Sequence, residues 1–447
     1  MTTTMTDRAL PRAEPAAARW MFKLLSQLRC GKITLHGPDG RAQEFSGSKP
    51  GPHASLTLAD WQVCSDILSR GDIGLAEAYI AGRAKTDDLT QLLLLAAMNE
   101  QAIEEAIHGR WWATLVYRLR HWLRPNTRSG SRKNIHAHYD LGNDFYRLWL
   151  DPTMTYSSAL FEGDLTRSLA DAQSAKYARI LRALDAQPGQ HILEVGCGWG
   201  GFAEHAARAG CRVTGITISE AQLAYAQRRI DAAGLQDRVT LKLQDYRDLD
   251  GQFDHVVSIE MFEAVGERYW PGYFSMLRDR LKPGGRALVQ SITIAEAKFE
   301  RYRTGTDFIQ QYIFPGGMLP SPQRFGEVAA GQGMTVEDMH HFGLDYAETL
   351  RRWHQVFDYA APQVREQGFD ERFMRTWRFY LAYCEAGFRA RATDEGVGGR
   401  GAAGAAAELV EVDDRRAGVG DPEPVGQQRQ RQGSLGHLEH DDVRIGP

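Results

Sequence analysis

The stretch ILEVGCGWGGFA at residues 192–203 decides the fold. Its opening run, Ile192 to Val195, reads as a buried strand. It leads straight into Gly196, Gly198, Gly200 and Gly201, then into a helix-like segment from Phe202 to Ala209. Strand, glycine turn and helix start are what a nucleotide-like cofactor needs. Small residues let the backbone approach the ligand, and the first helical turn offers unpaired N–H groups. The spacing Gly196-x-Gly198-x-Gly200 lacks the longer gap of the dinucleotide fingerprint. The alternative is a structural turn in an α/β protein.

Downstream of this stretch the pattern is regular. Strands are expected at 212–217, 239–243, 253–259 and 286–291, with helices at 220–233 and 272–281 between them. Such alternation predicts a largely parallel sheet covered by helices. Residues 295–320, rich in aromatic residues, Gly and Pro, interrupt the pattern and read as a lid or substrate-binding insertion, or as a long packed loop. A helix at 322–333, a strand at 334–339 and helices at 346–357 and 371–390 complete the catalytic domain, 134–394. Beyond it, residues 395–447 lose the apolar pattern to Gly, Ala, Gln and charge, and read as a disordered tail.

Upstream, residues 1–18 read as a flexible tail and 19–108 as a small, mainly helical domain with a short strand or hairpin near Lys32 to Gly40. Between the two domains, residues 109–124 (GRWWATLVYRLRHWLR) interleave tryptophan and arginine and run into a polar, basic linker that ends near 133. This mix suits an amphipathic helix on an anionic bilayer surface, and equally a linker helix packed on its neighbour. Nucleic acid is disfavoured as a partner, because no nucleic-acid module accompanies the patch.

Composition narrows the function classes. The 447 residues carry a net charge of -4, so the chain is no bulk polycation. Its five cysteines, Cys30, Cys64, Cys197, Cys211 and Cys384, are scattered without a CxxC pair, which points to a reducing, cytoplasmic setting and away from a thiolate metal site. The first residues lack the apolar core of a signal peptide, and no run reaches membrane-spanning length. There is no GxxxxGK[ST] loop, no GxSxG elbow and no HExxH pair, so ATP hydrolysis, elbow-serine chemistry and metal are disfavoured.

Ligands of an open α/β sheet sit beyond the carboxyl ends of its strands. Four segments reach that edge here: 194–201, 215–219, 244–246 and 258–263. The glycine loop is read as a cradle for S-adenosylmethionine. Gln244 or Asp245 is placed to bond an adenine amino group, and Thr217 and Gln222 to contact the ribose and its surroundings. The second strand ends in GITIS without a carboxylate, which argues against a nicotinamide cofactor. Glu260 and Glu263 follow the fourth strand. Glu263 is placed either to position a proton acceptor or cationic substrate, or to make a plain helix-start salt bridge.

Together these residues resemble the cyclopropane fatty acid synthase family, which includes the mycolic acid cyclopropane synthases. The resemblance covers about residues 60–391. It is carried by HYDLGNDFY at 138–146, LEVGCGWGG at 193–201, GITIS at 215–219, QDYRDL at 244–249, MFEAVG at 261–266, YIFPGG at 312–317 and GLDY at 343–346. It implies a class I S-adenosylmethionine-dependent methyltransferase fold of Rossmann-like α/β type, with an N-terminal domain that helps engage lipid. The implied substrate is a cis double bond in the acyl chain of an unsaturated phospholipid, reached from the inner face of the membrane as a peripheral protein. Methyl transfer to the alkene gives a carbocation, and a bicarbonate ion held by the family removes a proton from the added methyl as a cyclopropane closes. Relatives also make methylene- or methyl-branched chains. A small-molecule N- or O-methyltransferase, or a lipid-binding module without activity, stands outside that implication, and the N-terminal segment is a candidate for homodimerisation.

Carried residue by residue, the resemblance assigns Glu263, Tyr346 and the backbone of Ile292 to the bicarbonate site. His138 joins them in the catalytic set. Ser158 stands where the family has cysteine, and Gln290 where it has histidine. Both can still hydrogen-bond an anion, but Gln290 cannot carry charge or take a proton near neutral pH. The implied cofactor contacts are Tyr156, Ser157, Glu194, Gly196, Gly198, Gly200, Thr217, Ser219, Gln222, Gln244, Asp245 and Tyr246. Tyr312, Phe314 and Tyr346 are candidate aromatic faces around the cation.

Overall fold

The strand that opens the glycine loop lies in the interior of its sheet, flanked on both sides by parallel neighbours. The computed structural model describes residues 15–107, 141–390 and 406–413. The basic aromatic segment 109–133, His138, the first 14 residues and most of 395–447 lie outside them.

The N-terminal region runs α1 (Ala16–Leu25), β1 (Cys30–His36), β2 (Ala42–Ser46), β3 (Lys49–Leu58), α2 (Gln62–Ile80), β4 (Ala84–Lys85), α3 (Leu89–Met98) and α4 (Glu100–Ile107). Its strands form a sheet in the order β2-β1-β3-β4, where sequence alone showed one strand or hairpin. Pro50, Gly51 and Pro52 at the start of β3 disguise it, because proline and glycine are poor strand formers. Helix α1 begins inside the expected tail, since Ala18, Met21 and Leu24 recur at helical spacing and are buried. At Gly71, φ 58° and ψ -129° break α2 into two helical pieces.

The second region continues with α5 (Asn143–Arg147), α6 (Leu169–Ala183), β5 (His191–Val195), α7 (Gly201–Arg208), β6 (Arg212–Thr217), α8 (Glu220–Ala232), β7 (Val239–Leu243), β8 (Phe253–Ile259), α9 (Trp270–Arg280) and β9 (Leu281–Thr293). It ends with α10 (Glu296–Thr304), α11 (Pro322–Gly331), β10 (Thr335–His341), α12 (Gly343–Tyr359), α13 (Ala361–Glu366), α14 (Glu371–Ala390) and β11 (Ala406–Asp413). The seven strands are ordered β10-β11-β9-β8-β5-β6-β7. Strands β5 to β9 run parallel, and β11 pairs antiparallel with both β9 and β10. The reading of 395–447 as a tail without structure therefore fails at 406–413. There the run AAELVEVD supplies Leu409, Val410 and Val412 to a strand between two others.

Alternation along the strands sorts side chains into two cores. Ile192 and Val257 pack with Ile180, Phe202 and Ala206, whereas Leu193, Val195 and Val256 pack with Trp270, Phe274 and Phe325. Helices thus cover both faces, as near-continuous apolar strands require. β5 sits between β6 and β8, so strand order reverses beside it and a crevice opens at the carboxyl ends of these strands. No helix among the described residues is long and apolar enough to cross a membrane.

Candidate active site

One cavity of about 1540 Å³ opens at that crevice and runs on between the two regions. It exceeds the roughly 300–1,000 Å³ of an ordinary small-molecule pocket. Its near end is lined by Glu194, Gly196, Gly198, Thr217, Gln222, Gln244, Asp245 and Tyr246, together with Tyr156 and Ser157. Its far end is apolar and reaches Met21, Leu24, Ile33, Leu56 and Leu93 of the N-terminal region.

At the near end the turn is built for close approach. Gly196 takes φ 85°, and a side chain there would lie 3.2 Å from Met261 Cγ. The N–H groups of Gly196 and Cys197 both donate to Ile216 O, at 3.0 and 2.8 Å. Beneath the loop, Glu194 is buried and its Oε2 has no partner. Burial raises this carboxyl well above its usual range, partly opposed by Arg229. A buried carboxyl with one oxygen left unpartnered, a glycine turn and a helix start fit a cationic nucleoside such as S-adenosylmethionine.

Two expected cofactor residues do other work. Gly200 does not face the cavity; its φ of 81° starts α7, and a side chain there would meet Ala226 Cβ at 3.1 Å. Ser219 caps α8, accepting from Gln222 N at 3.3 Å. Thr217 Oγ1 donates to Gln222 Oε1 at 2.9 Å, so these two form one unit. Asp245 is held by Arg247 through two side-chain hydrogen bonds of 2.8 and 2.6 Å and one from the Arg247 backbone N–H at 3.0 Å. In the segment at 138–146, Asn143 Oδ1 accepts from Trp199 Nε1 at 2.7 Å and steadies the loop from outside.

The middle of the cavity holds Glu260 and Glu263, just past β8. Parallel pairing sets Ile259 opposite Gln290 of β9, and this brings Gln290 to Glu260. Gln290 Nε2 donates to Glu260 Oε1 at 2.7 Å, and the Ser158 backbone N–H donates to the same oxygen at 2.8 Å. Tyr346 OH, from α12, donates to Glu260 Oε2 at 2.6 Å. Glu260 adopts φ 48°, a left-handed conformation that side chains rarely take, and these contacts hold it there. Glu263 accepts from the Ile292 N–H and leaves Oε2 without a partner. Burial, then the neighbouring Glu260 charge, raises Glu263 to about 8.

Ser158 therefore contributes through its backbone, since its hydroxyl donates to Ala159 O at 3.0 Å. Glu260 and Lys176 escaped the site assignment. The signal for Glu260 was a second carboxylate three residues before Glu263 at the end of an expected strand. Lys176 lies on α6 and looked like one more surface lysine, yet it is fully buried and donates to Ser157 Oγ at 2.5 Å. Burial lowers it to about 7 against the opposing pull of Glu260, Asp151 and Glu194.

Aromatic faces surround the carboxylates. Tyr346 stacks on Phe388 at 4.5 Å, and Tyr156 OH and Tyr380 OH share a hydrogen bond of 2.7 Å. Phe314 lines the same space, but Tyr312 is partly exposed and donates to Glu77 Oε1 at 2.6 Å, outside the cavity wall. The insertion 295–320 forms α10 and a π-helical turn, Ile309–Ile313, and supplies much of the wall.

Bicarbonate does not fit this arrangement. Of the five positions that the resemblance assigned to it, three already hold the Glu260 carboxylate, and the other two, Glu263 and Ile292, hold each other. A further anion would face the Glu260 carboxylate with those donors already engaged.

Comparison with known proteins agrees with this architecture. The mycolic acid cyclopropane synthetase family profile matches residues 126–395. The chain is 41% identical over 347 residues to tuberculostearic acid methyltransferase UfaA1 of Mycobacterium tuberculosis, covering 72% of this chain and 78% of that protein. It is 37% identical over 350 residues to cyclopropane-fatty-acyl-phospholipid synthase of Escherichia coli, covering 78% and 87%. The solved mycolic acid cyclopropane synthase CmaA1, complexed with SAH and CTAB, superposes with a TM-score of 0.56 at 32% identity, over 63% of this chain and 97% of that one. With the parallel sheet, the glycine cradle and the paired carboxylates in place, the chain belongs to the mycolic acid cyclopropane synthetase family and is an S-adenosylmethionine-dependent methyltransferase.

Proposed function

We propose that this enzyme methylates the cis double bond of an unsaturated phospholipid acyl chain and closes a cyclopropane ring. The observation that carries the reading is the continuity of the cavity, from the glycine cradle past two carboxylates into an apolar channel lined by Leu24, Leu56 and Leu93. A water-soluble amine or alcohol substrate has no use for such a channel, whereas a long acyl chain gains by burying its methylenes, at about 0.8 kcal/mol each.

When bound, S-adenosylmethionine supplies an electrophilic methyl, which the alkene's π pair takes as the carbon–sulfur bond breaks toward sulfur. The residues do the rest. The channel holds the alkene in line, because an alkene is a poor nucleophile and depends on alignment. Tyr156, Tyr346 and Tyr380 present aromatic faces and a dry wall to the cation, which water would otherwise trap as an alcohol. A neighbouring carboxylate takes the proton. The basic aromatic segment at 109–124 supports landing on an anionic bilayer surface.

A second product, the methylene branch, is favoured by the 41% relative, which is named a tuberculostearic acid methyltransferase rather than a cyclopropane synthase. Both products lose a proton from the added methyl; they differ in whether a hydride shifts first. Full-length enzyme incubated with labelled S-adenosylmethionine and dioleoyl phosphatidylglycerol vesicles should place label in the acyl chains. Carbon NMR then separates ring from methylene. Label absent from the acyl chains, with cofactor binding demonstrated, overturns the proposal.

A further inference from the structure

We infer that Glu260 is this enzyme's own proton acceptor and that its carboxylate replaces the dissolved bicarbonate used elsewhere in the family. The inference rests on the methylation reading above and names the base within that same site.

The geometry carries it. Glu260 Oε1 receives the Ser158 N–H and Gln290 Nε2, at 2.8 and 2.7 Å, and Oε2 receives Tyr346 OH at 2.6 Å. Three donors converging on one carboxylate define an anion cradle whose occupant is tethered to the chain. The cradle also accounts for the two departures at Ser158 and Gln290. A backbone N–H asks nothing of the side chain at 158, and a neutral amide at 290 suffices when the anion cannot diffuse away. Burial raises the Glu260 carboxyl, and the charge of Lys176, together with the three donors, works against that rise and favours the ionised form. Glu263, with its raised proton affinity and its tie to Ile292, is held as a neutral neighbour that does not repel it.

The step balances. A C–H bond of the added methyl breaks, its electron pair closes the third bond of the ring at the cationic carbon, and the proton passes to a Glu260 oxygen. The proton leaves to water after product departs. A tethered base gains in effective concentration over a dissolved ion, because its position is fixed before substrate enters.

The test compares the full chain with Glu260→Gln and Glu260→Gly in carbon-dioxide-free buffer, with and without millimolar bicarbonate. Parent turnover should change by less than about twofold on removing bicarbonate. Glu260→Gln should fall about 100-fold in kcat with unaltered affinity for S-adenosylmethionine. Glu260→Gly opens the cradle and should regain about tenfold when bicarbonate is added. Carbon-13 bicarbonate NMR gives a readout independent of turnover: no bound line with the parent, and a bound line with Glu260→Gly. A parent that binds labelled bicarbonate, or that stops without it, overturns the inference, as does an active Glu260→Gln. If a variant fails to fold, the two parent measurements still decide. A parent that binds cofactor but labels no acyl chain under either condition overturns the methylation reading instead.

Discussion

At the cofactor end of the cavity, the contacts come mainly from one strand–turn–helix unit, Val195 to Gly201, and from the ends of β6 and β7. At the carboxylate end, Glu260 is held by groups at 158, 290 and 346, which only the folded sheet brings together. The first end depends on local backbone shape and the second on long-range register. Substitutions should therefore separate them: cofactor affinity at one end, turnover at the other.

The largest expected effect is at the loop. Gly196→Val forces a side chain into a positive-φ position against Met261, and should weaken S-adenosylmethionine binding about 100-fold or more by calorimetry while circular dichroism stays native. Comparable cofactor affinity in this variant would break the contrast.

The next concerns Glu263. Its carboxyl is raised to about 8 in the folded chain, above the ordinary value of 4.5. A raised acid favours folding below its unfolded value, and that share is lost as pH climbs toward 8. Between pH 5 and 8 the parent should lose about 1–3 kcal/mol more unfolding free energy than Glu263→Gln in urea titrations. Parallel pH dependence in both proteins would show that Glu263 titrates normally.

Tyr346→Phe removes one donor from Glu260 and leaves the ring stacked on Phe388. Turnover should fall about tenfold, roughly the worth of a hydrogen bond to a charged group, with cofactor affinity unchanged. A change confined to cofactor affinity would merge the two ends into one functional unit.

The smallest effect lies in the channel. Leu93→Trp narrows the apolar end and should raise KM for 18-carbon acyl chains several-fold over 14-carbon ones, without a change in kcat. Equal effects on both chain lengths would place the acyl tail elsewhere.

The same contrast governs what could be read from the chain. Strands at 212–217, 239–243 and 253–259 and the glycine turn were legible, because short apolar runs and glycines are written in consecutive residues. The N-terminal sheet was largely hidden, because β3 starts with Pro50 and Pro52 and pairs with β1 across a connection. Strand β11 was missed for a similar reason: AAELVEVD is a weak signal alone, and its partners lie far upstream. Asp245 lines the cavity, but its engagement with Arg247 is a side-chain choice that spacing does not encode.

What the sequence by itself determined is the α/β class, the cofactor cradle and the presence of Glu263 and Tyr346 in one domain, all of which follow from local patterns and a whole-domain resemblance. Only the tertiary structure decided which anion the cradle holds. Glu260 looked like a neighbour of Glu263 until the pairing of β8 with β9 and the packing of α12 turned three donors onto its carboxylate. Hydrogen-bond partners 102 and 86 positions apart along the chain are set by three-dimensional packing, which no short window of residues records.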